Sequence, residues 1–192
     1  MEIVLLFFVA FLLGSIPFSY IFGKLFKKDI RDYGEDRNPG AANSFRAGGL
    51  VIGIPSLIFD FLKGAVPVSL IINSFNLSSI SFVFISIAPV LGHMFTPFLK
   101  FRGGKGITTT FGIWSAISLW EVPTFIGSLF FIFLLSRKIL KVNITDKMIV
   151  IISAIILVVF VYFRYQDARF FAIAMINSIL LIFGQYKEKI IR

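Results

Sequence analysis

Seven runs of apolar residues alternate with short polar loops along the chain: Ile3 to Phe22, Leu50 to Ile72, Ile80 to Leu99, Ile107 to Leu119, Val122 to Leu135, Met148 to Phe163 and Phe170 to Phe183. Only the first three reach the ~20 residues that carry a helix across the hydrocarbon of a bilayer. The fourth and fifth are ambiguous, because one long helix bent at Pro123 is the alternative to two passes. Charge separates the two readings. With two passes, the loops on one side hold 16 of the lysines and arginines, among them Lys24, Lys27, Lys28, Arg37, Arg46, Lys105, Arg137 and Lys187, against Arg164 and Arg169 on the other. Merging the two runs puts the Lys105 and Arg137 loops on opposite faces and destroys that asymmetry. The positive-inside rule therefore predicts an all-α integral membrane protein of seven transmembrane helices, with its N-terminus outside and its C-terminus cytoplasmic. The short later runs imply untilted helices or a locally thinned bilayer.

Composition agrees with this reading. Hydrophobic residues make up 57% of the chain, 25 residues are phenylalanine and the mean hydropathy is +0.91, which leaves too little polar surface to cover a water-soluble globule. A net charge of +9 suggests nucleic acid in a soluble protein, but here it sits in short loops between apolar runs. That placement fits membrane orientation and an anionic lipid or substrate, with no nucleic acid. The absence of cysteine excludes disulfide and thiolate chemistry, and a single histidine, His93, argues against a metal site. The first run lacks a basic start and continues past any small-residue cleavage site, so it reads as a span and not a removed signal. Without an internal repeat or long linker, residues 1–192 read as one domain.

Candidate chemistry lies where apolar runs stop. In FRGGKGITTT, Phe101 to Thr110, three glycines bracket Lys105 just before an apolar run. Glycines let successive backbone N–H groups turn toward one point, and a following helix start adds unpaired donors and a positive dipole end. Lys105 with Gly103, Gly104 and Gly106 thus suggests a phosphate site, although the spacing is not that of a nucleotide-binding P-loop. The alternative is a basic turn at the membrane surface. In the loop Lys24 to Gly49, the residues Gly34, Pro39, Gly40, Gly48 and Gly49 rule out one long helix, and Asn38, Asn43 and Arg46 stand among them as donors that converge on one ligand. The alternative is a solvated charged loop. Asp60 and Lys63 share a helix face inside the second run. Each costs ~2.5–3.5 kcal/mol at mid-membrane on insertion scales, so they mark either function or an ion pair that locks helices. Pro67 is expected to kink the helix just beyond them. Taken alone, His93 reads as a packed, hydrogen-bonded residue. Gly14 to Pro17 and the many phenylalanines read as helix packing and lipid-facing bulk.

Four segments in order, GSIPFSYIFGKLFKKDIR, NPGAAN with a following arginine, DFLKGAVP and GHMFTPFLKFRGGKG, resemble the membrane glycerol-3-phosphate acyltransferases that use acyl-phosphate, the PlsY family. The likeness is strong over residues 14 to about 110. It implies a multi-pass membrane enzyme, cytoplasmic at its active face, that transfers a fatty acyl chain from acyl-phosphate to the 1-hydroxyl of glycerol 3-phosphate. The products are lysophosphatidate and phosphate, and no cofactor or metal is needed. It assigns catalysis to Lys105, Arg46 and Asn43, and phosphate or anion binding to Asn38, Gly40, Gly103, Gly104, Gly106, Asp60, Lys63, His93 and Glu188, in a protein expected to act as a monomer. An acyl-phosphate is already activated, so positioning and electrostatic stabilisation suffice without a nucleophilic side chain. The chain departs from the family pattern in four places. Glu35 and Asp36, with one added residue, replace a serine-bearing segment; Ala42 stands where the family has threonine; Arg137 to Asn143 replace another serine segment; and Tyr186 to Ile190 lack the family's histidine and asparagine while keeping Glu188. Carboxylates at 35 and 36 repel a phosphate unless they pair, and Arg37 or Lys187 are the expected partners. A catalytically altered relative that binds a phosphate-bearing or anionic lipid ligand is the second reading. A small transporter is disfavoured, because no inverted repeat is visible and the charges lie in loops.

Overall fold

The computed structural model describes residues 2–190, the side chains of residues 188–190 excepted. The described residues are helical throughout their ordered elements: α1 (Glu2–Ser15), α2 (Phe18–Leu25), α3 (Ala41–Ser74), α4 (Ser79–Met94), α5 (Ile107–Ser118), α6 (Glu121–Ile139), α7 (Asp146–Tyr165) and α8 (Ala168–Ile190), with 3-10 turns at Ile30–Tyr33 and Pro97–Leu99. Among the described residues, six stretches are long and apolar enough to cross a membrane: α1 with α2, α3, α4 with its 3-10 turn, α6, α7 and α8. The fourth apolar run forms α5, whose 12 residues rise only about 18 Å. The fourth and fifth runs are separate helices, with Leu119 at φ 53 between them and Pro123 in the first turns of α6, where a missing N–H costs no helical hydrogen bond. Helices α6, α7 and α8 extend past their apolar runs to 19, 20 and 23 residues, so the expected thinning is not required for them.

Two breaks shape the rest. Pro17 ends the first run's regular helix and opens the carbonyls of Ser15 and Ile16 to side-chain donors, the latter also accepting from Phe18 N–H at 3.0 Å. Thr96 Oγ1 donates to the Ser15 carbonyl at 2.6 Å, and Lys63 Nζ donates to that of Ile16 at 2.8 Å. In α3 the break falls at Gly48 and Gly49, the latter at φ 57 and ψ −140, which a side chain disfavours. Around Pro67, where the sequence suggests a kink, the backbone dihedrals stay helical. The NPGAAN residues, read as loop, instead enter a helical turn at Ala41, so Asn43 and Arg46 are held on a short helix ahead of the break.

Close packing holds the bundle together. Helix α3 lies on α5 where Gly64 and Gly112 meet; a Cβ on either would come within 2.5 Å of Thr109 O and 2.2 Å of Phe61 O respectively. Gly14 packs α1 against Pro89 of α4, as helix packing requires. The core gathers Val90, Met94, Trp114, Leu157 and Ile173, and Trp114 Nε1 donates to Asn177 Oδ1 at 3.0 Å, whose amide donates to Thr110 Oγ1 at 2.9 Å. That chain ties α5 to α8 with no buried polar atom of the three left over. Leu50, Ile80, Phe131 and Ile179 are among many large apolar side chains exposed on the outside, as lipid contact demands.

Candidate active site

The glycine-rich loop after α4 is built to lie flat on the end of that helix. Lys100 and Phe101 both adopt left-handed backbone, at φ 53 and 62, and reverse the chain. Gly103 N–H then donates to the Met94 carbonyl at 3.2 Å, and Gly104 N–H to that of His93 at 3.1 Å. These two donors close the helix end, which corrects the expectation that they converge on an anion. The glycines are required by space instead: a Cβ on Gly103 would sit 2.0 Å from the His93 carbonyl, and one on Gly104 2.1 Å from His93 Nε2. Gly106, at φ 81, is the N-cap of α5 and turns the chain so that Lys105 projects into the site.

A second loop meets it there. Asp29 caps the 3-10 turn and binds Arg31 at 2.6 Å and Lys24 at 3.1 Å, with its carboxyl held well below the usual range chiefly by Arg31. Lys28 Nζ donates to the Ala47 carbonyl and so ties the loop to the break in α3. These anchors place Asp36 against Lys105. The ammonium reaches Asp36 Oδ2 at 2.6 Å, Asn43 Nδ2 donates to Oδ1 at 3.1 Å, and Asn38 N–H donates to Oδ1 at 3.3 Å. Asn43 Oδ1 in turn accepts from Arg46 at 2.6 Å. The result is one polar line, Lys105 to Asp36 to Asn43 to Arg46. Burial raises the Asp36 carboxyl, but the Lys105 ammonium, with Asn43 and Asn38, outweighs it and holds the group below its ordinary value. The expected partners Arg37 and Lys187 are not used; Lys187 Nζ instead donates to the Met94 carbonyl and stands 4.8 Å above the Phe95 ring. The side chain of Glu188 lies outside the described residues.

Behind this line sits the buried pair. Asp60 and Lys63 meet at 2.7 Å, Ser19 Oγ donates to Asp60 Oδ2 at 2.6 Å, and Thr109 Oγ1 donates to the Asp60 carbonyl at 3.1 Å. His93 Nδ1 stands 3.9 Å from Asp60 Oδ1. The ammonium of Lys63 is held by Asp60 and the Ile16 carbonyl, so the structure uses it to join α2, α3 and the Pro17 break. Asp60 and His93 reach the edge of a cavity of about 300 Å³, which Asn38, Gly40 and Lys105 also line. Leu57, Ile107 and Thr108 lead from it into an apolar groove of about 660 Å³ walled by Phe61, Leu62, Phe111 and Phe130. Arg46 faces a separate hollow of about 510 Å³ with Tyr33, Gly34, Glu35 and Asp36. Among the described residues no three His, Cys, Asp or Glu side chains gather as metal ligands.

Of the residues singled out in the sequence, the fold brings Asn38, Asp60, His93 and Lys105 to one cavity and sets Asn43 and Arg46 beside it. Ser19, Thr109 and the place of Asp36 come from the structure alone. For Ser19 the only signal was its position two residues past the helix-breaking Pro17.

Residues 4–192 match the family described as glycerol-3-phosphate acyltransferase. The chain is 41% identical to glycerol-3-phosphate acyltransferase 1 of Thermotoga maritima over 117 residues, 60% of this chain and 57% of that one. It is 35% identical to the glycerol-3-phosphate acyltransferase of Fusobacterium nucleatum over 186 residues, 96% of this chain and 90% of that one. Among solved structures it resembles PlsY, an integral membrane glycerol 3-phosphate acyltransferase, in its glycerol 3-phosphate form, with a TM-score of 0.84 at 32% identity over 100% of this chain and 92% of the other. The lysophosphatidic acid form of PlsY is similar with a TM-score of 0.83.

Proposed function

The chain belongs to the glycerol-3-phosphate acyltransferase family and is an acyltransferase of phospholipid biosynthesis; from that premise we propose that its donor is an acyl-phosphate and its acceptor the 1-hydroxyl of glycerol 3-phosphate. The observation that carries this reading is the continuity of the Lys105 cavity with the apolar groove. A phosphate at Lys105 and the first turn of α5 places its acyl chain along Leu57 and Ile107 into the groove, as an acyl-phosphate requires. Arg46, Asn43 and the polar hollow beside them serve the acceptor's phosphate. The acceptor oxygen attacks the acyl carbon, the bond from that carbon to the phosphate oxygen breaks, and the hydroxyl proton leaves on the released hydrogen phosphate. The substrates themselves therefore balance the proton, and the protein contributes position and positive charge. Asp60 and His93 shape the cavity floor.

In the bilayer, α5 makes a further, short pass beside the six long spans, which sets the N-terminus outside and the C-terminus and active face in the cytoplasm, with the basic loops. The protein acts as a monomer. The test is lysophosphatidate formation by purified protein in lipid from palmitoyl-phosphate and labelled glycerol 3-phosphate. Lys105→Ala should lower turnover by about 10²-fold or more, by analogy with loss of one charged transition-state donor, while the protein remains folded. Full activity in Lys105→Ala overturns the site assignment.

A further inference from the structure

Asp36 makes contacts that suit a bound ligand better than a loop residue. One carboxylate receives donors from three separate places: the ammonium of Lys105 before α5, the amide of Asn43 on the first turns of α3, and the backbone N–H of Asn38. Converging charged and neutral donors are what a phosphate oxygen needs, and here a side chain of the same protein supplies the anion. Resting on the acyl-phosphate reading above, we propose that Asp36 is a tethered anion that holds the phosphate seat at Lys105 and must leave it before donor binds.

The surroundings allow that exchange. The Asp36 side chain is 32% exposed and that of Lys105 23%, so neither is locked in the bundle. Asp36 also borders the hollow that holds Arg46, which offers the displaced carboxylate a second cation. Its neighbour Arg37 stands at φ 44, a left-handed conformation that a non-glycine residue seldom takes, in the turn that carries Asp36. A ligand must therefore compete with an anion already joined to the protein, and only a strong one, a phosphate dianion, wins against a carboxylate with this local concentration. The residue thus sets which anions are accepted and how tightly. If the seat is covered nine-tenths of the time, the apparent dissociation constant of a phosphate rises about tenfold.

The experiment compares wild type with Asp36→Asn and Asp36→Ala, and with Asp32→Asn as a protein of equal charge change on an exposed neighbouring residue. Two readouts are taken: inorganic phosphate binding, from its effect on thermal unfolding of the purified protein, and steady-state kinetics with palmitoyl-phosphate and glycerol 3-phosphate. Both Asp36 variants should bind phosphate about tenfold more tightly and show a KM for palmitoyl-phosphate lower by a similar factor, with kcat kept, while Asp32→Asn changes neither. A fall in KM confined to glycerol 3-phosphate overturns the proposal as stated, because the seat that Asp36 holds would then be the acceptor's. Unchanged phosphate binding, an equal gain in Asp32→Asn, or a collapse of kcat in the Asp36 variants overturns the proposal, the last because it marks Asp36 as a support for Lys105. Phosphate binding needs no turnover. An inactive wild type that still gains phosphate affinity on Asp36→Asn therefore defeats the acyl-phosphate reading alone.

Discussion

Asp60 meets Lys63 at 2.7 Å and Asp36 meets Lys105 at 2.6 Å, yet the two pairs do opposite things. The first is sealed, with side chains only 1% and 2% exposed, and its remaining groups are held by Ser19 and the Ile16 carbonyl. Neither charge can leave without stranding the other in the bundle. The second lies at the mouth of a cavity and is a quarter to a third exposed, so water and ligands compete for it. Distance alone does not tell a scaffold from a binding seat; burial and the number of other anchors do.

The sharpest way to break this contrast is to remove one half of the sealed pair. Lys63→Met leaves Asp60 charged and unpaired, and Asp60→Asn strands Lys63; each should lower stability by about 3–5 kcal/mol, read as loss of thermal stability in lipid. The double variant Asp60→Asn with Lys63→Met should recover much of that loss, because no uncompensated charge remains. Single variants that unfold with the wild type would show the pair to be solvated and would erase the distinction. At the open pair the same operation should act on function instead. Lys105→Ala should unfold within about 1 kcal/mol of wild type, as partly exposed pairs do, even though its turnover falls. A large loss of stability there would make Lys105 a structural residue.

The same contrast explains what could be read from the sequence. Asp60 and Lys63 were legible because three residues of helix place them on one face, and intramembrane charge is too costly to be accidental. The helical spans were legible because lipid demands long apolar runs, and the loop charges separated α5 from α6. Pairing between Asp36 and Lys105, 69 residues apart, was not legible, since helical periodicity relates neighbours within an element and says nothing about which loops meet. Gly103 and Gly104 of FRGGKG matter for a different physical reason from donor convergence: they admit the loop onto His93 and spend their N–H groups on the end of α4. The Gly48–Gly49 break was legible only as a loop signal: Gly49 adopts a backbone that helix forbids, and the helix resumes directly after it.

Acidity sharpens the comparison further. The Asp36 carboxyl lies below its ordinary value, so the stabilisation its pairing brings is complete above about pH 4 and is lost only as pH falls through the lower folded value. Between about pH 5.5 and 8 the carboxylate stays charged, and the ratio of phosphate affinities in Asp36→Asn and wild type should remain constant, because titration of the phosphate itself affects both proteins alike. Binding measured across that range checks this. A ratio that shrinks toward pH 5.5 would mean that Asp36 takes up its proton there and that Lys105 holds it far more weakly than the 2.6 Å contact indicates.

The smallest effect belongs to a third pair with the same geometry. Arg137 and Asp146 also meet at 2.6 Å, but their side chains are 41% and 72% exposed, on the connection between α6 and α7. Both are already solvated, so the attraction is screened and ordering two long side chains offsets most of it. Asp146→Ala should therefore change thermal stability by no more than about 0.5 kcal/mol, and acyl transfer should be unaffected. Across the three sites the distance is nearly constant while the exposure rises, so the measured losses should fall in the order Asp60, Asp36, Asp146. A loss at Asp146 as large as that at Asp60 would require the α6 to α7 connection to be buried against something in the membrane, and burial would still be the variable that decides what an ion pair does.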